Sequence, residues 1–338
     1  MKKLIIIIIY FFIFKTFGQN GLKEGNYFLL LNNKEIISLN LYENYKINEI
    51  KIFEITEKSI YTTDQKRRVA IIDTAKNTIY IYDFQSSKEI KFSIPFSLKS
   101  KTILLNDENL FIGGEFEKEM LVQYHFESNK WFQLEIPTYF RMPRKSIDDM
   151  VINDSLLIAI DDFLIPKYVL FYRLNSTERL EFLNYKKLEP NGTYETIHQG
   201  RITQKYFGLI SSTVGSGENS KHITIYDKLN LTRSFSITTS LREKNFYIFN
   251  DFLIVGDKII IATNGKGLGI LEINKMDFER VGIYSNNDLK IRIKTSKVKF
   301  NKFKKENIIK LTIIPNSLKI VLTIEDSKGK IRHEIIEI

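Results

Sequence analysis

From Arg68 to Asp83 the chain reads Arg-Val-Ala-Ile-Ile-Asp-Thr-Ala-Lys-Asn-Thr-Ile-Tyr-Ile-Tyr-Asp, two short apolar runs around a polar turn, closed by an aromatic residue and an aspartate. Looser copies follow from Leu121 to Tyr124, Tyr168 to Tyr172, Ile223 to Asp227 and Leu268 to Glu272. The runs are rich in Ile, Val, Phe and Tyr and are broken by Asn-Asp, Asn-Gly and Ser-Lys turns, which predicts strands. Leu156 to Ile160, Ile259 to Ala262 and Leu318 to Ile324 fit the same pattern, and no window sustains a capped helical stripe. A unit this small cannot bury its apolar face alone, so several copies must pack on one another.

The closing positions are spaced regularly. Asp83 is followed at intervals of 42, 48, 54 and 45 residues by His125, Arg173, Asp227 and Glu272. Each interval suits one four-stranded blade, and the pattern predicts an all-β chain folded as a single closed β-propeller. Seven four-stranded blades are favoured, and six also fit. An open two-sheet sandwich or two small β-domains are the alternatives. The longer intervals are expected to hold loop insertions at 184–200 and 211–220, the latter a run of Ser, Gly and Asn. For closure, a strand at 27–31 is expected to complete the blade formed by residues 310–338, hiding edges that invite aggregation.

Several segments resemble known repeats. Val69-Ala-Ile-Ile-Asp-Thr-Ala-Lys-Asn-Thr-Ile79 is similar to the core of YVTN-type propeller repeats, and Asn264-Gly-Lys-Gly-Leu-Gly-Ile-Leu-Glu-Ile-Asn274 to LVIVD-type repeats. Gly113-Gly114 through Tyr124 to Trp131 is similar to a kelch repeat, although Trp131 is the only tryptophan. The matches belong to three repeat families; they imply the architecture and carry over no catalytic residue.

The N-terminus stands apart from the fold. Lys2 and Lys3 precede an apolar run from Leu4 to Phe14, too short to span a bilayer comfortably, and Thr16 and Gly18 set small side chains where a signal peptidase needs them. Residues 1–18 are expected to be a signal peptide cleaved before Gln19, leaving 19–338 as the propeller domain; an uncleaved anchor is the alternative reading. The mature chain is then not membrane-spanning and is periplasmic, secreted or at the cell surface. The chain contains no cysteine, so neither a disulfide nor a lipidated thiol contributes. The abundance of Lys, Ile and Asn resembles exported proteins of the Bacteroidetes.

Charge is local. The formal net charge is +10, of which Lys2, Lys3 and Lys15 belong to the leader. Most of the rest lies in one segment in which Lys290, Arg292, Lys294, Lys297 and Lys299 alternate with apolar residues, so a strand there would present cations on one face. An anionic envelope polymer is the partner this suits; nucleic acid is excluded by compartment. Solvation and edge protection are the plainer reading.

Candidate chemistry is sparse. The glycines at 265, 267 and 269 lead into a strand rather than a helix, so they read as a turn and not a dinucleotide loop. His125, His198, His222 and His333 show no ligand spacing, so no metal and no cofactor is expected. The richest segment holds Arg144, then Asp148 and Asp149, then Asp161 and Asp162, then Lys167. Paired carboxylates can divide acid and base roles when their environments differ. They also cap turns and pair with cations, which is the more economical reading. No Gly-x-Ser-x-Gly elbow occurs. Asp73-Thr74-Ala75 and Asp154-Ser155-Leu156 are similar to the Asp-(Ser/Thr)-apolar acceptor of Bacteroidetes O-glycosylation. These features favour an extracytoplasmic scaffold binding a protein or glycan partner through rim loops, with no catalysis evident. A propeller glycosidase or lyase, or an envelope-assembly protein, are the alternatives.

Overall fold

In the computed structural model the described residues are strands and tight turns from Asn26 onward, with residues 1–25, 51–58, 135–145, 241–248, 274–282 and 285–305 and several shorter connections outside the description. Residues 1–18, Arg144 and the basic run at 290–299 therefore lie outside the described residues. Compactness divides the chain into two units, Met1–Ile112 and Gly113–Ile338.

Unit one opens with an antiparallel sheet of β1 (Asn26–Leu31), β2 (Glu35–Asn40) and β3 (Lys46–Ile50). A four-stranded meander follows, β4 (Ser59–Thr63), β5 (Arg68–Asp73), β6 (Thr78–Asp83) and β7 (Lys88–Ser93). The next meander is β8 (Leu98–Leu105), β9 (Asn109–Phe116), β10 (Leu121–His125) and β11 (Lys130–Gln133), and the division between the units falls within β9.

Unit two continues with β12 (Asp149–Asn153), β13 (Leu156–Asp161), β14 (Tyr168–Leu174) and β15 (Leu180–Lys187). Then come β16 (Glu195–Ile202), β17 (Tyr206–Gly215), β18 (Glu218–Asp227) and β19 (Ser234–Ser240). The sequence next forms β20 (Phe249–Val255), β21 (Lys258–Thr263) and β22 (Gly267–Glu272). A two-residue β23 (Ile283–Tyr284) returns to pair parallel with β19. The last sheet is β24 (Asn307–Ile313), β25 (Lys319–Glu325) and β26 (Ile331–Glu337). The described residues thus form seven small sheets, six of them runs of consecutive strands and the β16–β19 sheet extended by β23.

Burial explains the apolar runs. The second strands β5, β13, β21 and β25 are buried along nearly their whole length, whereas the fourth strands β7, β11 and β15 are largely exposed. Sheets stacked face to face bury both sides of their inner strands, so those strands read as continuous apolar runs instead of alternating. In unit two, Ile158, Ile160, Val169 and Phe171 of one sheet pack on Ile197, Phe207, Leu209 and Tyr226 of the next. Tyr206, Ile210, Ile223 and Ile225 then meet Phe249, Phe252 and Ile254, and Leu253, Ile260 and Ile270 meet Ile308, Leu311 and Ile320.

The turns follow the aspartates. Asp73 Oδ1 accepts from the amides of Ala75 and Lys76 at 3.0 and 3.2 Å, and Asp83 Oδ1 from Gln85 and Ser86 at 2.9 and 3.1 Å. Asn77 and Ser87 then complete each turn at positive φ. Gly265 and Gly267, both at positive φ, make the β21–β22 turn, as their reading as a turn requires.

Residues 27–31 form β1, which pairs with β2, its neighbour across a short connection, and the last sheet is β24, β25 and β26. Hairpin partners close in sequence cost little chain entropy. One expectation is corrected. The insertions at 184–200 and 211–220 are mostly strand. Asn184–Lys187 belong to β15 and Glu195–Gly200 to β16, while β17 and β18 pair in register from Tyr206↔Asp227 to Gly215↔Glu218. Their polar side chains bond one another across the strands, which composition alone does not reveal.

Candidate functional site

Asp148, Asp149, Asp161, Asp162 and Lys167 come together at one end of the β12–β15 sheet because β12 and β13 are antiparallel, pairing Asp149 with Ile160. Lys167 and Asp161 are buried there. Asp148 Oδ2 accepts from the amide of Asp162 at 3.0 Å, and Asp148 Oδ1 from the Ser146 hydroxyl at 3.2 Å. Lys167 Nζ forms an ion pair with Asp162 Oδ1 and donates to the Asp162 carbonyl at 3.0 Å, closing the base of the β13–β14 connection. The other oxygen, Asp162 Oδ2, accepts from the Ile197 amide on β16 at 3.0 Å.

Asp149 crosses to the same strand. Its Oδ1 accepts from the Met150 amide at 2.9 Å and its Oδ2 from the Gly200 amide at 2.5 Å. Burial pushes this carboxyl up to about 6, against the lowering effect of the two amides and of Arg201. Burial likewise raises Asp162, opposed by Lys167. Glycine makes room for this approach: a Cβ at position 200 would stand 3.1 Å from Ile160 Cδ1 and 3.2 Å from Val151 Cγ1, so those side chains would have to give by a few tenths of an ångström.

The series continues along the first strands. Arg201, next to Gly200, donates through Nε to the Phe252 carbonyl at 3.1 Å and pairs with Asp251 at 2.9 Å. Gln199, in the orientation that satisfies both its oxygen and its nitrogen, accepts from the Arg201 guanidinium and donates to Asp251 at 2.9 Å. Asp251 accepts from the Phe252 amide and, across to β24, from the Leu311 amide, both at 2.8 Å. Lys310 beside it is lowered by burial and partly restored by Asp251.

A second polar group sits on the face of the β16–β19 sheet that packs toward Asp162. The Ser211 hydroxyl donates to Glu195 Oε1, and Thr213 Oγ1 and His222 Nε2 are hydrogen-bonded at 3.0 Å. Glu195 pairs in register with Thr213, and Ser211 with His222, which puts all four on one face. All are buried: Glu195 and Thr213 are 8% exposed, His222 4% and Ser211 1%. Sequence reading missed this group, since the signal is a strand-like alternation of Ser211, Thr213 and His222 hidden in a Ser/Gly-rich stretch. His198 Nε2 bonds Ser212 Oγ at 2.7 Å. Among the described residues no cluster of three or more His, Cys, Asp or Glu is arranged to hold a metal ion.

Chemically, these carboxylates act as hydrogen-bond acceptors, and Asp149, Asp162 and Asp251 join one sheet to the next through the amides of Gly200, Ile197 and Leu311. No protein-family model and no curated protein matches the chain. Among solved structures, the β-propeller domain of Myceliophteria thermophila Cps50 (Swd1) is similar at 13% identity, covering 90% of this chain and 91% of that one, with a TM-score of 0.54. Hsv2 of Kluyveromyces lactis matches at 11% identity over 93% and 95%, with a TM-score of 0.48. The β-propeller domain of the Trilobed protease of Pyrococcus furiosus matches at 12% identity over 90% and 86%, also at 0.48. The likeness to the first is one of fold, an all-β propeller-like arrangement of small repeated sheets.

Proposed function

We propose that the protein is an extracytoplasmic scaffold, a closed seven-bladed propeller of residues 19–338, that binds a protein or glycan partner. The observation that carries this reading is the commitment of Asp148, Asp149, Asp162 and Asp251 to main-chain amides of neighbouring strands. Carboxylates held in this way stiffen a frame, and a rigid frame presenting its connections is what a binding module needs. The connections around Arg144, Asp148, Asp149, Asp161, Asp162 and Lys167 form the partner-binding end. Lys290, Arg292, Lys294, Lys297 and Lys299 supply a contact for an anionic envelope polymer.

The test uses mature protein beginning at Gln19. Binding to sulfated glycan and to vesicles containing anionic lipid is measured at 0.1 M and 1 M salt, where the Debye length falls from ~10 Å to ~3 Å. Salt-sensitive binding that is reduced in a Lys294→Gln, Lys297→Gln, Lys299→Gln variant of unchanged melting temperature supports the basic contact. Loss of binding in an Asp148→Asn, Lys167→Met variant that stays folded supports the other end. Hydrolysis or elimination of a glycan by the wild type overturns the scaffold reading.

A further inference from the structure

We propose that Glu195, Ser211, Thr213 and His222 form an acid-sensitive latch that holds the far end of the β17–β18 hairpin to its sheet. The geometry starts from an unusual placement: an imidazole and a carboxylate, each more than nine-tenths buried, on one face of three adjacent strands. The two groups are bridged by hydroxyls. Ser211, which donates to Glu195, stands directly across the strand pair from His222, and Thr213, which bonds His222, stands directly across from Glu195.

At neutral pH the set is complete with an uncharged ring. One hydroxyl serves the carboxylate and the other serves His222 Nε2, so each buried polar atom of the bridge has a partner. A proton on the ring disfavours this arrangement. Both ring nitrogens become donors, Thr213 serves Nε2 as an acceptor, and a cation is left in a desolvated place. Glu195 on β16 is the charged group acting on the ring. The hydroxyl-bearing β17 contributes none, and Lys221 beside His222 faces the other side of the sheet, donating to the Phe249 carbonyl at 2.9 Å. On the sheet packed against this face, Asp162 and Lys167 are paired with each other, and Asp148 accepts from Ser146 and the Asp162 amide. Burial lowers the affinity of His222 for a proton and Glu195 partly restores it. Folding therefore favours the neutral ring, and the stability it contributes is present above about pH 6.5 and is lost as the pH falls through the lower folded value.

The part that gives way is the hairpin end around Ser211, Thr213 and His222, beyond the apolar cluster to which Phe207, Leu209 and Tyr226 belong nearer the base. The inference stands whether or not the scaffold reading is right.

The experiment has two readouts on the folded wild type. The first is the titration of the His222 ring by nuclear magnetic resonance, with a midpoint expected below about 6.5 and shifted lower still in Glu195→Gln. The second is amide exchange of residues 211–213 and 220–222, which should rise by up to about tenfold per pH unit as the pH falls from about 6.5 to that midpoint, and level off below it, after correction for intrinsic rates. The rise should vanish in His222→Gln. A midpoint at or above the ordinary value, a midpoint unmoved by Glu195→Gln, or the same acid-induced exchange in His222→Gln overturns the proposal. Should His222→Gln fail to fold, the wild-type titration and Glu195→Gln decide it alone.

Discussion

Asp149 and Asp251 do the same thing in different sheets: each accepts the amide of the residue that follows it and reaches with its second oxygen to the first strand of a later sheet, at Gly200 and Leu311 respectively. Their strands also align in sequence, Asp149-Met-Val-Ile152 with Asp251-Phe-Leu-Ile254. They differ in charge compensation. Asp251 is paired with Arg201 at 2.9 Å, whereas the described ion pairs give Asp149 no such partner.

The paired aspartate should matter most to stability. Removing one member of a buried pair leaves the other charge and its amides unsatisfied, at a cost of about 3–5 kcal/mol. Asp251→Ala is expected to lose stability of that order in urea unfolding, and Asp251→Asn, which keeps an acceptor, distinctly less. Equal losses would mean that the charge on Arg201 plays no part.

The unpaired aspartate should instead show in pH dependence. Folding raises its carboxyl from 3.8 to about 6, so the folded state favours the protonated form. That contribution is complete below about pH 4 and is lost as the pH rises through 6. The stability of the wild type relative to Asp149→Asn should therefore fall by up to roughly 3 kcal/mol between pH 4 and 7. Parallel stability profiles for the two proteins would refute the assignment.

Gly208 is expected to be intolerant of any side chain. A Cβ there would stand 2.7 Å from Phe252 Cε2 and 2.9 Å from Ile225 Cδ1, inside the core shared by the β16–β19 and β20–β22 sheets. Gly208→Ala should destabilise by about 1–3 kcal/mol through overpacking. Truncating the obstructing ring in Gly208→Ala, Phe252→Leu should recover part of that loss.

Tyr172 offers the opposite case. Its side chain is 1% exposed and its hydroxyl has no hydrogen-bond partner among the described residues, while its ring stacks edge-on with Phe182 at 5.5 Å. An unsatisfied buried hydroxyl costs about 1–3 kcal/mol, so Tyr172→Phe should leave the melting temperature unchanged or raise it. A clear drop in calorimetry would reveal a partner for that hydroxyl.

What the sequence determined by itself is what local chemistry controls. Short β-branched runs made the strands, Asp73 and Asp83 made their turns by bonding the amides two and three residues on, and Gly265 and Gly267 supplied the positive φ of another. The continuous apolar character of β5 or β13 already implied burial on both faces, hence stacked sheets. The cluster of aspartates from 148 to 162 was visible as composition, but its task was not, because Asp149 and Gly200 are 51 positions apart and Asp251 and Leu311 are 60. Nothing in either segment names the other; only stacking brings the amide and the carboxylate together. The same holds for Ser211 and Thr213, which read as loop residues until Glu195 and His222 on the facing strands satisfied them, and for residues 27–31, whose partner was decided by the nearest hairpin. Turns and strand character follow from neighbours within a few residues. Tethers, by contrast, depend on where the folded chain happens to return.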